Sequence, residues 1–142
     1  MAGFQPISES LPNHQFEFRV RYAETDQMGT FYNARALEWF EVGRSELARA
    51  RGLPYTEWER RGAFLPLVEA HVKYLGRAQY DDLLMMKVAV EPEGRTRLKF
   101  HNLIWQEGDG KPVVQGYTLH VVVDSRGRPQ RKPDWVYDFI TT

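Results

Sequence analysis

The chain has 142 residues, of which 42% are hydrophobic and 13% aromatic, enough for one domain with a core of its own and too short for two. Nineteen basic residues balance nineteen acidic ones, so the basic excess that a general nucleic-acid binder needs is missing, although a local patch for one phosphorylated ligand stays open. No cysteine is present, which excludes a disulfide framework, a thiolate metal site and a cysteine nucleophile.

Met1 to Pro12 contains neither the basic nor the apolar segment of a secretory signal. No run approaches the ~20 apolar residues that span a bilayer. The expectation is a cytoplasmic protein that engages neither membrane nor nucleic acid.

Residues 1–15 carry two prolines and several polar side chains, and read as a flexible arm before a single domain over 16–142. Phe16, Phe18, Val20 and Tyr22 alternate with Glu17, Arg19 and Arg21, the period-2 pattern of a half-buried strand. Ala23 to Thr30 supplies acidic and small residues and reads as a loop. A long helix follows, with Ala36, Phe40, Gly43 and Leu47 at helical spacing and Gly52 as its stop. Gly43 costs ~1 kcal/mol relative to Ala in mid-helix, a cost that close approach to a sheet would justify. A short helix is expected from Pro54 to Arg61. Strands are expected over 65–75, 83–90, 95–106 and 113–123, separated by Gly76 to Asp82, Pro92-Glu93-Gly94 and Gly108-Asp109-Gly110. One helix cannot cover both faces of five strands. The fold class is therefore α+β, an antiparallel five-stranded sheet wrapped around one long central helix. Its open strand edge invites self-association.

The segment Arg21 to Asn33 runs from the end of a strand through a loop into the long helix. A helix N-terminus offers unsatisfied N–H donors and the positive end of the dipole, which can hold an oxyanion. Asp26 lies just upstream, where a carboxylate could act as nucleophile or as general base on water. Taken alone, an aspartate before a helix is more often a cap or turn residue.

The run Tyr22-x-Glu24-Thr25-Asp26-Gln27-Met28-Gly29, with Tyr32-Asn33-Ala34-Arg35 and Leu37-Glu38-Trp39-Phe40-Glu41, resembles the signature of the 4-hydroxybenzoyl-CoA thioesterase-like hotdog family. The similarity continues through Val72-x-Tyr74-Leu75-x-Arg77-Ala78, Asp81-Asp82, Gly116-Tyr117-Thr118 and His120-Val121-Val122-Val123-Asp124, and spans residues 16–133. The resemblance implies an acyl-CoA thioesterase with Asp26 as its catalytic carboxylate. It implies polarising N–H groups around Tyr32 and Asn33, and a site assembled in a homodimer or homotetramer. Gly29, Phe31, Tyr32, Asn33 and Arg77 become candidate substrate-binding residues. Some branches carry His where this chain has Asn33; others have Asn-Ala-Arg, as here, so the substrate class is blurred. A thioester is already an activated acyl group, so no cofactor is expected.

The four histidines, His14, His71, His101 and His120, lack metal-site spacing. Glu41 and Arg44 are three apart on the helix and are expected to pair, with Glu41 or Glu38 as fallback catalytic groups. Arg77, Arg126, Arg128, Arg131 and Lys132 are candidates for coenzyme A phosphates, although for any one of them a solvated loop charge is the simpler reading. Phe31, Tyr32, Trp39 and Phe40 read as core first and acyl pocket second. Two other functions stay open: an acyl-carrier-protein thioesterase, and a non-catalytic acyl-CoA sensor.

Overall fold

A computed structural model describes residues 3–141. Strand β1 (Asn13–Arg19) is followed by a single 3-10 turn (Tyr22–Glu24), then helices α1 (Arg35–Ala50) and α2 (Tyr55–Arg60). Strands β2 (Leu67–Tyr74), β3 (Leu83–Glu93), β4 (Arg97–Gln106) and β5 (Pro112–Val121) come next, and α3 (Asp134–Thr141) ends the chain. The strands form one antiparallel sheet in the order β1-β3-β4-β5-β2.

The inner face of the sheet is read from alternate residues. Leu84, Met86, Val88 and Val90 of β3, and Leu98, Phe100 and Ile104 of β4, are buried in one cluster with Ala36, Trp39, Phe40 and Leu47 of α1. The expected reason for Gly43 holds: a Cβ there would stand 2.2 Å from the Met86 Cε and 3.6 Å from the Asn102 Oδ1. A side chain at 43 would have to push the flexible tip of Met86 aside, so Met86 fills the space that a methyl group on the helix would take. Where Phe40 crosses β5 the strand likewise carries Gly116, whose Cβ would come 2.8 Å from the phenyl ring.

The structure departs from expectation in four places. β1 begins at Asn13, inside the expected arm, and residues 4–12 contact the outer face of the sheet. The backbone N–H of Gln5 donates to the Gln115 side chain at 2.7 Å, Glu9 pairs with Lys87 at 3.0 Å, and the Phe4 ring meets Trp105 edge-on. The chain leaves β1 at Arg19 rather than Tyr22, and tightens into the 3-10 turn. β3 runs through Pro92, expected to break it. The Val90 N–H is taken by the Pro12 carbonyl on the β1 side, where strand pairing ends at Ala89. Two residues on, the missing N–H of Pro92 faces that same empty side, so no ladder bond is lost. The fourth departure is α3, to which no expectation corresponded. It buries Val136, Phe139 and Ile140 and sets Trp135 and Phe139 edge-on to Trp58, with centroids 5.2 and 5.1 Å away.

Beneath the second half of α1 the inner face is polar. The Arg44 Nη1 donates to the Thr118 Oγ1 at 3.5 Å, Thr118 meets the His120 Nε2 at 3.0 Å, and the His120 Nδ1 lies 2.9 Å from the Leu65 carbonyl. A carbonyl can only accept, so Nδ1 carries the proton and the neutral ring accepts at Nε2 from the threonine hydroxyl. The neighbouring Asn102 is fully buried, its Oδ1 without a partner.

Burial, and next the charge of Arg44, hold His120 down to about 4 against an ordinary 6.5. Above pH 6.5 folded and unfolded chains carry the same proton count at this residue. Below it the unfolded chain takes up a proton that the folded chain refuses until about pH 4, so stability falls as pH drops through that window. The loss is on the order of 3 kcal/mol. Urea unfolding of the wild type and His120→Asn from pH 7 to 4 measures it. The stability difference between the two proteins should shrink or reverse on acidification; a constant difference would show that this histidine does not titrate with folding.

Candidate active site

The loop between the 3-10 turn and α1 is a closed turn. Thr25 and Phe31 form a bridge, the Asp26 N–H donates to the Thr30 carbonyl at 2.9 Å, and the Gly29 N–H donates to the Asp26 carbonyl at 3.1 Å. The Asp26 Oδ1 accepts from the Met28 N–H at 2.8 Å. One carboxylate oxygen therefore does the work of a turn residue. The other, Oδ2, makes no hydrogen bond among the described residues, and the side chain is exposed. Gly29 has φ +80°, the left-handed conformation that glycine adopts without strain. A Cβ at Gly29 would meet nothing within 4 Å, so the glycine is required for its backbone and not for space.

Hydrogen bonds of Glu24, Tyr74, Arg77 and Ala78 fix this turn and the helix start. Glu24 is buried; its carboxylate accepts from the Arg21 N–H at 2.7 Å and from the Trp39 indole at 2.8 Å. Its carbonyl takes the Tyr32 N–H at 2.8 Å. The Tyr74 hydroxyl on β2 donates to the Asn33 carbonyl at 2.6 Å. The Arg77 Nη2 donates to the Met28 carbonyl at 2.9 Å, while the Ala78 N–H reaches the Thr30 hydroxyl at 3.2 Å. Glu24 and Tyr74 were quoted in the sequence only as motif letters. Their side-chain partners lie fifteen and forty-one positions away, which no local pattern encodes.

This arrangement sorts the expected residues. Of the two N–H groups expected to polarise a carbonyl, that of Tyr32 is already spent on Glu24. The Asn33 and Ala34 N–H groups have no backbone partner among the described residues, and no side chain caps α1. Phe31 is 5% exposed, with its ring 4.8 Å from Trp39 and 6.1 Å from Tyr74; it is core beneath the turn, not an open pocket wall. Arg77 does come to the Asp26 turn, held there by Met28. The ring of Tyr32 is 50% exposed and the Met28 side chain 72%, so the turn carries an apolar surface.

Other candidates separate from this place. Arg44 makes no ion pair with Glu41 within 4 Å among the described residues and turns inward to Thr118, while Glu38 pairs with Arg35 at 2.8 Å. Lys132 is buried, its ammonium donating to the Gly94 carbonyl at 2.5 Å, so it cannot reach a phosphate. Arg126, Arg128 and Arg131 are exposed, in and beyond a turn where Asp124 accepts from the Arg126 and Arg128 N–H groups at 2.9 and 3.0 Å. His71 stacks on Tyr117 outside the sheet and His101 meets Glu91 at 2.7 Å. No group of three or more His, Asp or Glu able to hold a metal occurs among the described residues, and no described helix is long and apolar enough to cross a membrane.

Residues 20–140 match the model of the thioesterase-like superfamily. The chain is 31% identical over 124 residues to the "putative acyl-CoA thioesterase YneP" of Bacillus subtilis, covering 84% of this chain and 89% of that protein. It is 28% identical over 120 residues to the chloroplastic acyl-acyl carrier protein thioesterase ATL3 of Arabidopsis thaliana, covering 84% and 63%. The DHNA-CoA thioesterase of Staphylococcus aureus superposes with a TM-score of 0.81 at 29% identity, over 89% of this chain and 88% of that one. A 4-hydroxybenzoyl-CoA thioesterase variant complexed with 4-hydroxybenzoyl-CoA superposes with a TM-score of 0.80 over 90% and 98%; at 16% identity it speaks for the fold alone. The sheet, the long helix lying in it and these likenesses agree: the chain belongs to the thioesterase-like superfamily and is a thioester hydrolase of the hotdog fold.

Proposed function

We propose that this enzyme hydrolyses an acyl-CoA thioester to the free acid and CoA, with Asp26 as its catalytic carboxylate. The observation that carries the reading is the divided role of that side chain. One oxygen is locked by the Met28 N–H, which aims the other outward without the entropy cost of a free rotor. As general base, the free oxygen takes a proton from water while the water oxygen bonds to the thioester carbon. As nucleophile, it bonds to that carbon itself, and water later cleaves the mixed anhydride. In either route the carbonyl electrons move onto oxygen, the tetrahedral adduct collapses, and the C–S bond breaks to release the CoA thiolate, which takes a proton. The Asn33 N–H at the positive end of α1 is the donor suited to the oxyanion. Gly29 keeps the turn closed, and Tyr32, Met28 and Arg77 border the approach.

The working unit in this reading is a homodimer, with pairing of dimers into a tetramer. β2 is a sheet edge, and Leu67, Val68 and Tyr74 on it are about half exposed, an unprotected template for a second copy. Antiparallel pairing of two β2 strands about a two-fold axis lays the Tyr74 end of one beside the Leu67 end of the other. Tyr74 holds the helix start of its own chain, so the Asp26 turn of one protomer would face the Leu65–Leu67 region of its partner. Light scattering at micromolar protein should give a dimer or tetramer, and an active monomer would overturn the assembly.

The likeness to an acyl carrier protein thioesterase favours a second reading in which the acyl group arrives on that protein. Side-by-side assays on matched acyl-CoA and acyl-carrier-protein thioesters separate the two.

Two variants test the mechanism. Asp26→Asn keeps an Oδ1 to accept from Met28, so the turn survives while the base and nucleophile are lost. kcat should fall by ~10²–10⁴, with kcat/KM falling alongside it; near-wild-type hydrolysis would send attention to Glu41 and Glu38. Gly29→Val places a β-branched residue at φ +80°, costing roughly 1–3 kcal/mol of backbone strain. It should lower kcat more than it raises KM, while circular dichroism stays unchanged. An unaltered kcat would separate the turn from catalysis.

A further inference from the structure

Away from the Asp26 turn, a second concavity opens beside the C-terminal half of α1. Ala48, Trp58, Leu65, Phe100 and Phe139 wall it, and Arg44, Ser45, Tyr55 and Glu41 supply its polar groups. Its polar groups are unbalanced toward donors. The Arg44 guanidinium, part-buried, has only the 3.5 Å bond to Thr118; its remaining donors are not among the buried unpartnered atoms, and the side chain lines the opening. The Tyr55 oxygen accepts from the Leu65 N–H at 2.9 Å, which leaves the hydroxyl proton free to donate inward. Burial lowers the Arg44 pKa and raises that of Tyr55, as expected where both are short of compensating partners.

A part-buried guanidinium without an ion pair gives up hydration that its single long bond to Thr118 does not return. Glu41 is exposed at the rim and forms no ion pair with Arg44 among the described residues; its charge acts on the guanidinium only through space. His120 on the far side is neutral and supplies no charge. The forked donors of arginine match a carboxylate bidentately, and a phenol proton alongside adds a third contact.

We infer that this cavity selects the substrate, taking an acyl group that ends in a carboxylate, held by Arg44 and Tyr55 between the apolar walls. The inference rests on the thioesterase reading and deepens it. Arg44 stands nine residues into α1 from its first residue, ~14 Å along the axis, too far for a short acyl chain bound at its own Asp26 turn. Leu65 is both a cavity wall and the approach to β2. In the two-fold pairing proposed above each cavity would lie toward the partner subunit's Asp26, so that the scissile carbonyl and the far end of the acyl chain would be held by different protomers.

The test compares adipoyl-CoA with hexanoyl-CoA, equal in length and differing in the terminal carboxylate. The wild type should show kcat/KM at least tenfold higher for adipoyl-CoA. Arg44→Met should collapse that ratio toward one, Arg44→Lys should reduce it only in part, and Glu41→Gln should raise it by removing a repelling charge from the rim. A merely structural arginine would move both substrates together and give no response to Glu41→Gln. Ala48→Leu, which narrows the cavity and leaves Arg44 in place, should lower the use of adipoyl-CoA. If Arg44→Met fails to fold by circular dichroism, the wild-type ratio and the Glu41→Gln and Arg44→Lys responses decide. Equal or faster hydrolysis of hexanoyl-CoA by the wild type, or a ratio that survives Arg44→Met, overturns the inference. If neither thioester is hydrolysed, the acyl-CoA reading of the site fails separately. Calorimetric titration of the same two intact thioesters then decides the cavity: tighter binding of adipoyl-CoA, lost in Arg44→Met, upholds it, and equal binding sinks it.

Discussion

The closeness of α1 to the sheet governs this molecule. At Gly43 the tip of Met86 on β3 occupies the space that a methyl group would need, with the Asn102 side chain of β4 in van der Waals reach. The helix gives up ~1 kcal/mol of propensity there, and in exchange Ala36, Phe40 and Leu47 reach complete burial. Because close-packed interiors transmit displacements rather than absorb them, the depth of α1 also sets the height of both its ends. Its N-terminus emerges at the level of the Asp26 turn, and its C-terminal half overhangs the Arg44 cavity.

The N-terminal end is held by side chains that are themselves held. Glu24 is tied to Trp39 and to the 3-10 turn, Tyr74 to the Asn33 carbonyl, and Arg77 to the Met28 carbonyl. These bonds cross from β2, the β2–β3 connection and α1 into a stretch of a few residues. A loop that had to position a carboxylate by its own stiffness would lose more rotamer freedom on binding. Here sheet and helix supply the stiffness, and among the described residues a carboxylate oxygen is left unengaged along with the free N–H groups of Asn33 and Ala34.

The long helix was legible because its apolar positions recur at helical spacing and a glycine stops it. The strands were legible because breakers bound each one. Gly43 announced the tight packing, since its cost had no other justification. What escaped was whatever depends on contacts distant in sequence. α3 follows Pro133 and begins with Asp134, ordinary start signals, but eight residues are too few to be a helix without Trp58 and the core to lie on. The extension of β3 through Pro92 depends on where β1 ends, which is a tertiary fact. The Tyr32 N–H looked available from position alone, and only the fold showed it bonded to Glu24. Arg44 looked like the partner of Glu41 because helix spacing puts them on one side; burial instead turned it toward Thr118.

The turn of Arg44 away from Glu41 and toward Thr118 shows how the two ends of α1 belong together. A helix surface charge three residues from an opposite charge gains only a few tenths of a kcal/mol by pairing in water. Turning inward costs far more, and an ordinary core would fill the position with an apolar side chain, which is often the more stable choice. Around Arg44 the chain does the opposite: it adds Thr118 and His120, orders their protons against the Leu65 carbonyl, and leaves the guanidinium without an ion pair in the wall of a largely apolar opening. The seam holds Arg44 in place without neutralising it, since threonine and a neutral imidazole offer dipoles and no charge. Stability alone would not select such a group, whereas recognition would, because a fixed and unneutralised cation discriminates most sharply between a ligand that carries the matching charge and one that lacks it.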